Sequence, residues 1–443
     1  PNTYQLKAMS FTQQLAFTNK MSTDTYRGAG MPESCSIIER LVDLTAAEFG
    51  LDPAEVRRRN LAPKEAFPFT SASGLVYDSG DYEKSLDKAL EIIDYKKIRA
   101  EQAEARKQGR YIGIGLASYV EVAGVGPSSF FPGLKVGGWE SATVTIEPDG
   151  KVTVLTGSSP HGQGIETSFA QVAADQLGVD LEDVRVVHGD TGRVQYGIGT
   201  FASRSMAVGG AALVGAIGKL QDKMKKIASF MMEAPPDQLT FAHKAITIGG
   251  DLSRSIPLQK VVDAAYQFRP AIPGLEPGLA AQCFFEPPNF CAPFGAHASV
   301  VEVDLETGRV KFLKYAAVYD CGTVINPLIV EGQVHGGTAQ GIGQALCEEV
   351  HYDETGQLVS GSLMDYAIPR ADLVPRFDVA NTVTPTPLNP LGAKGIGESG
   401  CIAGSVCVVN AVIDALQPFG VRNIELPLKA ERVWRAIQEA KKA

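Results

Sequence analysis

The sequence predicts an α+β protein assembled from repeated units of β-hairpin, glycine-rich loop and helix, and three observations predict it. Strand-length runs at 142–146 with 152–156, and at 298–303 with 310–318, flank the tight turns Glu147-Pro148-Asp149-Gly150-Lys151 and Glu306-Thr307-Gly308-Arg309. Each hairpin leads into a loop rich in Gly, Asn or Gln and then into an apolar pattern of helical period. At 443 residues, 44% hydrophobic and 21% charged, the chain can bury a large core, with expected divisions at 1–137, 138–295 and 296–443.

Several function classes are disfavoured at this level. A net charge of −9 without a long basic run argues against nucleic-acid or anionic-membrane partners. No apolar stretch is expected to reach membrane-spanning length, and the opening Pro1, Asn2, Thr3, Tyr4 has no signal-peptide pattern, so a cytoplasmic location is expected. The seven cysteines form no closely spaced ligand set and read as buried thiols, not as a disulfide framework or an iron–sulfur site.

The elements follow in order. Residues 3–18 read as a strand, with Tyr4, Leu6, Ala8, Phe11, Leu15 and Phe17 partly alternating and nothing before it to pair with. That suggests the second part of a larger subunit. The loop from Tyr26-Arg27-Gly28 through Gly30 and Pro32 opens a helix over about 33–49, and Asp52-Pro53 opens a short capped one. A longer, charged helix is expected over 82–108. After the first hairpin, Gly157 to Gly164 precedes a helix whose apolar side carries Phe169, Val172 and Leu177. A short strand at 184–187 and the loop 197–205 lead to an Ala/Gly-rich helix ending near 228. Residues 236–256 form a small excursion, and 257–277 a short helix and connection. The second hairpin delivers Ile325-Asn326-Pro327 and a helix with Val330, Gln333, Val334, Gly337 and Gln340. Two related halves, about 138–230 and 295–350, are the result.

The chain closes on Gly392-Ala393-Lys394-Gly395-Ile396-Gly397-Glu398-Ser399, where three glycines in six residues allow close backbone approach to a ligand. One carboxylate, Glu398, sits in that bare loop before a long apolar helix. It reads either as a catalytic group or as a helix cap.

These motifs in this order resemble the molybdenum-binding large subunit of the xanthine oxidase and aerobic carbon monoxide dehydrogenase family. They are Tyr26-Arg27-Gly28-Ala29-Gly30, His161-Gly162-Gln163-Gly164, Gly199-Thr200-Phe201-Ala202-Ser203-Arg204, Asn326-Pro327 with Gln333 and Gln340, and Lys394-Gly395-Ile396-Gly397-Glu398. The resemblance implies a molybdopterin, commonly the cytosine dinucleotide form in bacteria, whose own dithiolene holds molybdenum, so no protein ligand to the metal is expected. It implies that the loops at Gly28, Gly162, Gly164, Gly199, Gly395 and Gly397 wrap the cofactor. Arg27, Gln163, Thr200, Ser203, Arg204, Asn326, Gln333, Gln340 and Lys394 carry over as contacts. Arg204 equally suits a salt bridge at a helix start, and Gln340 a buried helix–helix hydrogen bond.

In that family a carboxylate takes the proton of the attacking oxygen nucleophile, and Glu398 occupies its place. The resemblance further implies an N-terminal half of the molybdenum subunit, an iron–sulfur subunit and an FAD subunit as partners, and a small-molecule substrate. An aldehyde or N-heteroaromatic hydroxylase is the expected activity. A carbon monoxide dehydrogenase-like enzyme and a non-catalytic cofactor-assembly module are the alternatives. Copper-type carbon monoxide dehydrogenases carry a cysteine directly after a Tyr–Arg pair, whereas Gly28 follows Tyr26-Arg27 here and Cys35 falls in the next helix. No dinucleotide fingerprint of the Rossmann type follows a first strand, which disfavours a nicotinamide or flavin dehydrogenase. Tyr119, Phe130, Phe131 and Phe201 are candidates for a flat-substrate pocket, while His161, His188 and His335 read as structural.

Overall fold

The computed structural model describes residues 2–131, 133, 135–269 and 272–442. Pro1, and Pro270 and Ala271 of the expected 257–277 connection, therefore lie outside the described residues.

Helices α1 (Met31–Phe49) and α2 (Pro53–Asn60), the short pair β1 (Phe69–Thr70) and β2 (Val76–Tyr77), and helices α3 (Tyr82–Ile92) and α4 (Tyr95–Lys107) lead to strand β3 (Tyr111–Val120). Asp52 caps α2 by accepting from the backbone N–H groups of Ala54 and Glu55. The single helix expected over 82–108 is two, because Asp94 adopts a left-handed conformation (φ 58°) between α3 and α4.

The first hairpin unit runs β4 (Glu140–Ile146), β5 (Val152–Thr156), α5 (Ile165–Leu177), β6 (Val184–Val187) and α6 (Gly210–Met232). The excursion is a three-stranded sheet of β7 (Leu239–Ala242), β8 (Ala245–Ile248) and β9 (Asp251–Pro257), followed by α7 (Leu258–Gln267) and β10 (Ala280–Phe285). The second unit repeats the first with β11 (Phe294–Val303), β12 (Val310–Asp320), α8 (Pro327–Leu346), β13 (Asp378–Asn381) and α9 (Ser399–Leu416), before α10 (Ala430–Ala440) closes the chain.

The repeat goes further than the hairpins. The two main sheets are ordered β10-β4-β5-β6 and β3-β11-β12-β13. In each, the hairpin is antiparallel, the edge strand beside its first strand is antiparallel, and the strand beside its second is parallel. The parallel pair requires a crossover, supplied by α5 in one unit and α8 in the other. Each unit therefore includes a second helix, α6 or α9; α6 falls within the expected first unit, whereas α9 lies beyond the end at 350 expected for the second. The edge strand comes after the helices in the first unit and before the hairpin in the second. That exchange is why the expected division at 137/138 separates β3 from the sheet it completes, while 295/296 falls inside β11.

One core packs α5, α6 and α7 on the first sheet. The second sheet is covered on both faces. Along β11, Ala296, Ala298 and Val300 face the α3 side, while Val301 and Val303, beyond a bulge, face the side of α8 and α9. Helix α9 lies directly on this sheet. A Cβ added at Gly113 or Gly115 of β3 would stand 1.9 Å from the carbonyl oxygen of Ala411 or Cys407. Glycines also let α8 and α9 touch backbone to backbone, since a Cβ at Gly341 would lie 2.8 Å from Gly404 Cα.

Two expectations fail here. The segment Ser399–Phe419 is long and apolar enough to cross a membrane (mean hydropathy 1.7), but 94% of it is buried inside the protein, so its apolarity is accounted for by the core. The strand expected over 3–18 does not form. Tyr4 bridges Leu61, and Asn2 exchanges hydrogen bonds with Ser118 O and Val120 N, but Phe11, Leu15, Phe17 and Met21 beyond them are exposed. Their irregular alternation offers no single apolar face, and among the described residues no strand runs beside them.

Gly115→Ala tests the contact between α9 and β3. Glycine-to-alanine changes at compatible sites stabilise by roughly 0.4–1 kcal/mol. At this position the added methyl forces the helix off the sheet, and a loss of about 1–3 kcal/mol is expected from the urea midpoint. An unchanged or raised midpoint would mean that the two elements are not in backbone contact.

Candidate active site

The two units meet at a cavity of about 130 Å³. It is lined from Gln163 and the first turn of α5, from Ser203, Ser205 and Met206 at the start leading to α6, from Asn326, Ile329 and Gln333 of α8, and from Gly395 to Gly397 before α9. Equivalent loops of the repeat thus converge, and three helix starts and the approach to a fourth face one space. Helix starts carry unpaired N–H groups and a positive dipole end, which suit an anionic group, while the cavity's own lining is largely apolar.

Loop apposition is tight. Thr200 Oγ1 donates to Ser159 O (2.6 Å) and accepts from Ser159 N, joining the 157–164 loop to the 199–205 loop. Gly164 (φ 76°) and Gly395 (φ 96°) are glycines for the protein's own packing, because an added Cβ would meet the Ile329 side chain at 2.6 Å and Ser203 O at 2.1 Å. Gly162 and Gly199 differ. Both have positive φ, yet a Cβ would meet nothing within 4 Å at the first and only Ser159 Oγ at 3.7 Å at the second. Open space in front of a left-handed glycine is what a cradle for a bulky polar ligand requires, and these residues fit a pterin cofactor in that respect.

Arg27 ties the loops together. Its Nε donates to Gly397 O (2.5 Å), Nη1 to Gln340 Oε1 (2.8 Å), and Nη2 to Gln333 O and Oε1. Gln333 and Gln340 lie two turns apart on one face of α8, and Gln340 also donates to the Tyr26 hydroxyl. Burial pulls the Arg27 pKa down from the usual arginine value, while the carboxylates Glu121 and Glu398 help hold its charge.

Some residues carried over as cofactor contacts are placed otherwise. Arg204 is fully buried in an ion pair with Glu140, with further bonds to Gly138 O and Gly199 O, so its guanidinium is not presented to the cavity. Lys394 is likewise fully buried. Its Nζ donates to Ser79 O and Ala292 O and lies over the Phe294 ring, and burial lowers its pKa against the pull of Asp320 and Asp78. It anchors the loop instead, together with Lys394 N to Cys321 O. Gln340 serves Arg27 and does not line the cavity. Asn326 lines it while capping α8 through Ile329 N and donating to Gln171, and Gln163 folds back on Ser159 O and His161 N.

Glu398 stands at the cap position of α9, yet its side chain makes no capping hydrogen bond. Its carboxylate accepts from Ala202 N (3.2 Å) and from the backbone of Gly28, while its own N–H donates to Ser203 Oγ. Burial raises its pKa, and those backbone bonds and Arg27 pull the other way. A half-buried carboxylate held by N–H donors, with elevated proton affinity, is equipped to act as a base.

Sequence reasoning missed Glu121 and Ser399. Glu121 is fully buried just after β3 and accepts from Ser399 Oγ. A signal was present: it is the sole charged residue between Arg110 and Lys135. None of the four candidate aromatics, Tyr119, Phe130, Phe131 and Phe201, lines the cavity. Tyr119 is core, Phe130 packs on Phe290, and Phe201 lies under Arg204 at the surface. His161, His188 and His335 do not line the cavity, and among the described residues no three His, Cys, Asp or Glu come together as a metal-ligand set.

Residues 88–375, and separately 1–61, match families described as molybdopterin cofactor-binding domain. The chain is 40% identical over 410 residues to the carbon monoxide dehydrogenase large chain of Hydrogenophaga pseudoflava, covering 92% of this chain and 51% of that one. It is 36% identical to the nicotine 6-hydroxylase large subunit of Paenarthrobacter nicotinovorans, covering 98% and 53%. The crystal structure of quinoline 2-oxidoreductase from Pseudomonas putida 86 superposes with a TM-score of 0.89 at 40% identity, covering 94% and 53%. The chain spans about half the length of the curated relatives it matches.

Arg27→Lys examines the knot. A lysine cannot reproduce a forked set of donors, so Gly397 O, Gln333 and Gln340 lose partners. The expected local cost is about 1–3 kcal/mol, read as roughly tenfold or greater acceleration of amide exchange over 395–400. Unchanged exchange would show that Arg27 does not hold the loop.

Proposed function

This chain belongs to the molybdopterin-binding large-subunit family that includes xanthine oxidase and aerobic carbon monoxide dehydrogenase, and from that premise we propose that it forms the base-carrying part of a molybdenum hydroxylase acting on an aldehyde or N-heteroaromatic substrate. The observation that carries this reading is Glu398: it sits at a helix start without capping it, facing N–H donors of two glycine-bearing loops. A cofactor-assembly module needs the cradle but not a half-buried carboxylate of raised proton affinity. When bound, the cofactor supplies the redox metal that takes up the substrate's electrons and activates water.

The protein's own residues do the rest. The loops at Gly162, Gly199 and Ser203 and the start of α8 hold the cofactor, and the converging helix starts suit the pyrophosphate of a dinucleotide form, for which the family resemblance suggests cytosine. Arg27 fixes the relative position of the loops and holds positive charge beside Glu398. Glu398 takes the proton of the attacking oxygen at its carboxylate, and burial strengthens it as a base. Electrons leave through iron–sulfur and FAD groups on partner subunits, and a further chain segment completes the cradle, in a cytoplasmic assembly.

Oxidation of carbon monoxide is the second reading, favoured by the 40% identity to a carbon monoxide dehydrogenase large chain. Against it, the cysteine lining the cavity is Cys321, whose thiol is pushed up to about 12 by burial, so it is a poor thiolate donor to a soft metal. Dye reduction with aldehydes, N-heteroaromatics and carbon monoxide separates the two.

Two substitutions test the site. Gly199→Val forces a β-branched residue to positive φ and fills the open side of the cradle, so molybdenum content should fall sharply while circular dichroism is kept. Full metal content would remove Gly199 from the cradle. Glu398→Gln should keep the metal and lower the rate of cofactor reduction by about 10²–10⁴-fold. Because Glu398 must be ionised to act and its pKa is raised, the wild-type rate should climb with pH through a midpoint above the ordinary glutamate value, and that limb should vanish in the variant. Near-normal turnover would eliminate the base role.

A further inference from the structure

Glu121 is the buried titratable group that the proposed chemistry leaves unused. It is fully buried, its Oε2 accepts from Ser399 Oγ, and its Oε1 has no hydrogen-bond partner among the described residues. Ser399 is the residue after Glu398. The Ser203 hydroxyl, which receives the Glu398 N–H, also lies against Glu121. Both hydroxyls that touch Glu121 thus belong to the frame of Glu398.

We infer that Glu121 is a positioning residue for Glu398: a neutral, proton-holding carboxyl that fixes the 397–399 turn through Ser203 and Ser399 and forms with Glu398 a pair sharing one negative charge. This rests on the reading of Glu398 as the base.

The assignment of the proton follows from the surroundings. Two carboxylates in mutual reach do not both ionise readily, and the one with more donors takes the charge. Glu398 has Ala202 N–H, the Gly28 backbone and Arg27. Glu121 has two neutral hydroxyls and shares Arg27 with Glu398, and one of its oxygens is unpaired. Burial first, and the Glu398 charge second, push the Glu121 pKa up to about 7. The other groups facing it do not titrate in that range. Burial drives the Tyr119 phenol well above its usual value and the Cys321 thiol to about 12, and Arg27 remains a cation. Cys401, facing Glu398, is likewise pushed up to about 12.

The test uses the assembled, cofactor-loaded enzyme and pH-difference infrared spectra of protonated carboxyls, with the pH–rate profile beside them. In the wild type, one carboxyl band should titrate near neutrality. It should vanish in Glu121→Gln, while the acid limb due to Glu398 stays, because neutral Gln resembles protonated Glu121. In Glu398→Gln the Glu121 band should remain, and its midpoint should fall by about one to three pH units as the neighbouring charge is lost. Glu121→Asp keeps a titrating carboxyl and covers the case in which the Gln variant does not fold.

A merely structural Glu121 would lower the rate equally at every pH and leave no band near neutrality to lose. That result, or a midpoint unmoved in Glu398→Gln, overturns the proposal. If Glu398→Gln keeps full activity while the band still shifts, the base reading fails and the pairing stands.

Discussion

The close backbone packing of α9 is the constraint on which the rest depends. Gly113 and Gly115 bring it onto β3, and Gly337 and Gly341 against Gly400 and Gly404 bring it onto α8. A helix so enclosed has to be apolar. Its one charged side chain, Asp414, lies in the last turn and is met by Arg99, Gln102 and the Ile114 N–H. Glycines cost helical propensity, about 1 kcal/mol each relative to alanine, and burial against two partners offsets it. Because α9 cannot slide, the residue at its start cannot either, and that residue is Glu398.

The site is a product of duplication in the fold. Each unit presents a loop before its crossover helix and another before its second helix, and the four loops face one cavity. Neither unit makes the cavity alone. The loop carrying Glu398 is pinned to its own sheet by Lys394 N to Cys321 O and Thr323 N to Gly392 O, and to the other unit by the Ser203 hydroxyl. Arg27, from outside both hairpins, closes the knot.

Charge placement follows from burial. Arg204 with Glu140 and Arg57 with Glu39 are fully buried pairs, and breaking one partner would strand the other. With Arg204 and Lys394 turned inward, attraction for an anionic ligand falls to N–H groups and helix starts. These hold a fixed geometry. The remaining cation, Arg27, is itself held by backbone and amide oxygens.

By itself the sequence determined the periodicities and the punctuation. The hairpins at 142–156 and 298–318, the capped helix after Asp52, the α+β class and the ordered glycine loops are all local, set by turn chemistry, side-chain period and the φ freedom of glycine. Glu398 was legible because a lone carboxylate in a bare loop before an apolar helix is a local anomaly. What each side chain faces was not legible, because orientation is decided by partners far along the chain. Arg204 and Lys394 read as ligand contacts, but Glu140 and the loop carbonyls of Ser79 and Ala292 take them. The run over 3–18 read as a strand although strand pairing depends on a neighbour that sequence does not specify. Glu121 stands 277 positions before Glu398, and only the packing of β3 under α9 brings it to the Ser399 hydroxyl beside the candidate base.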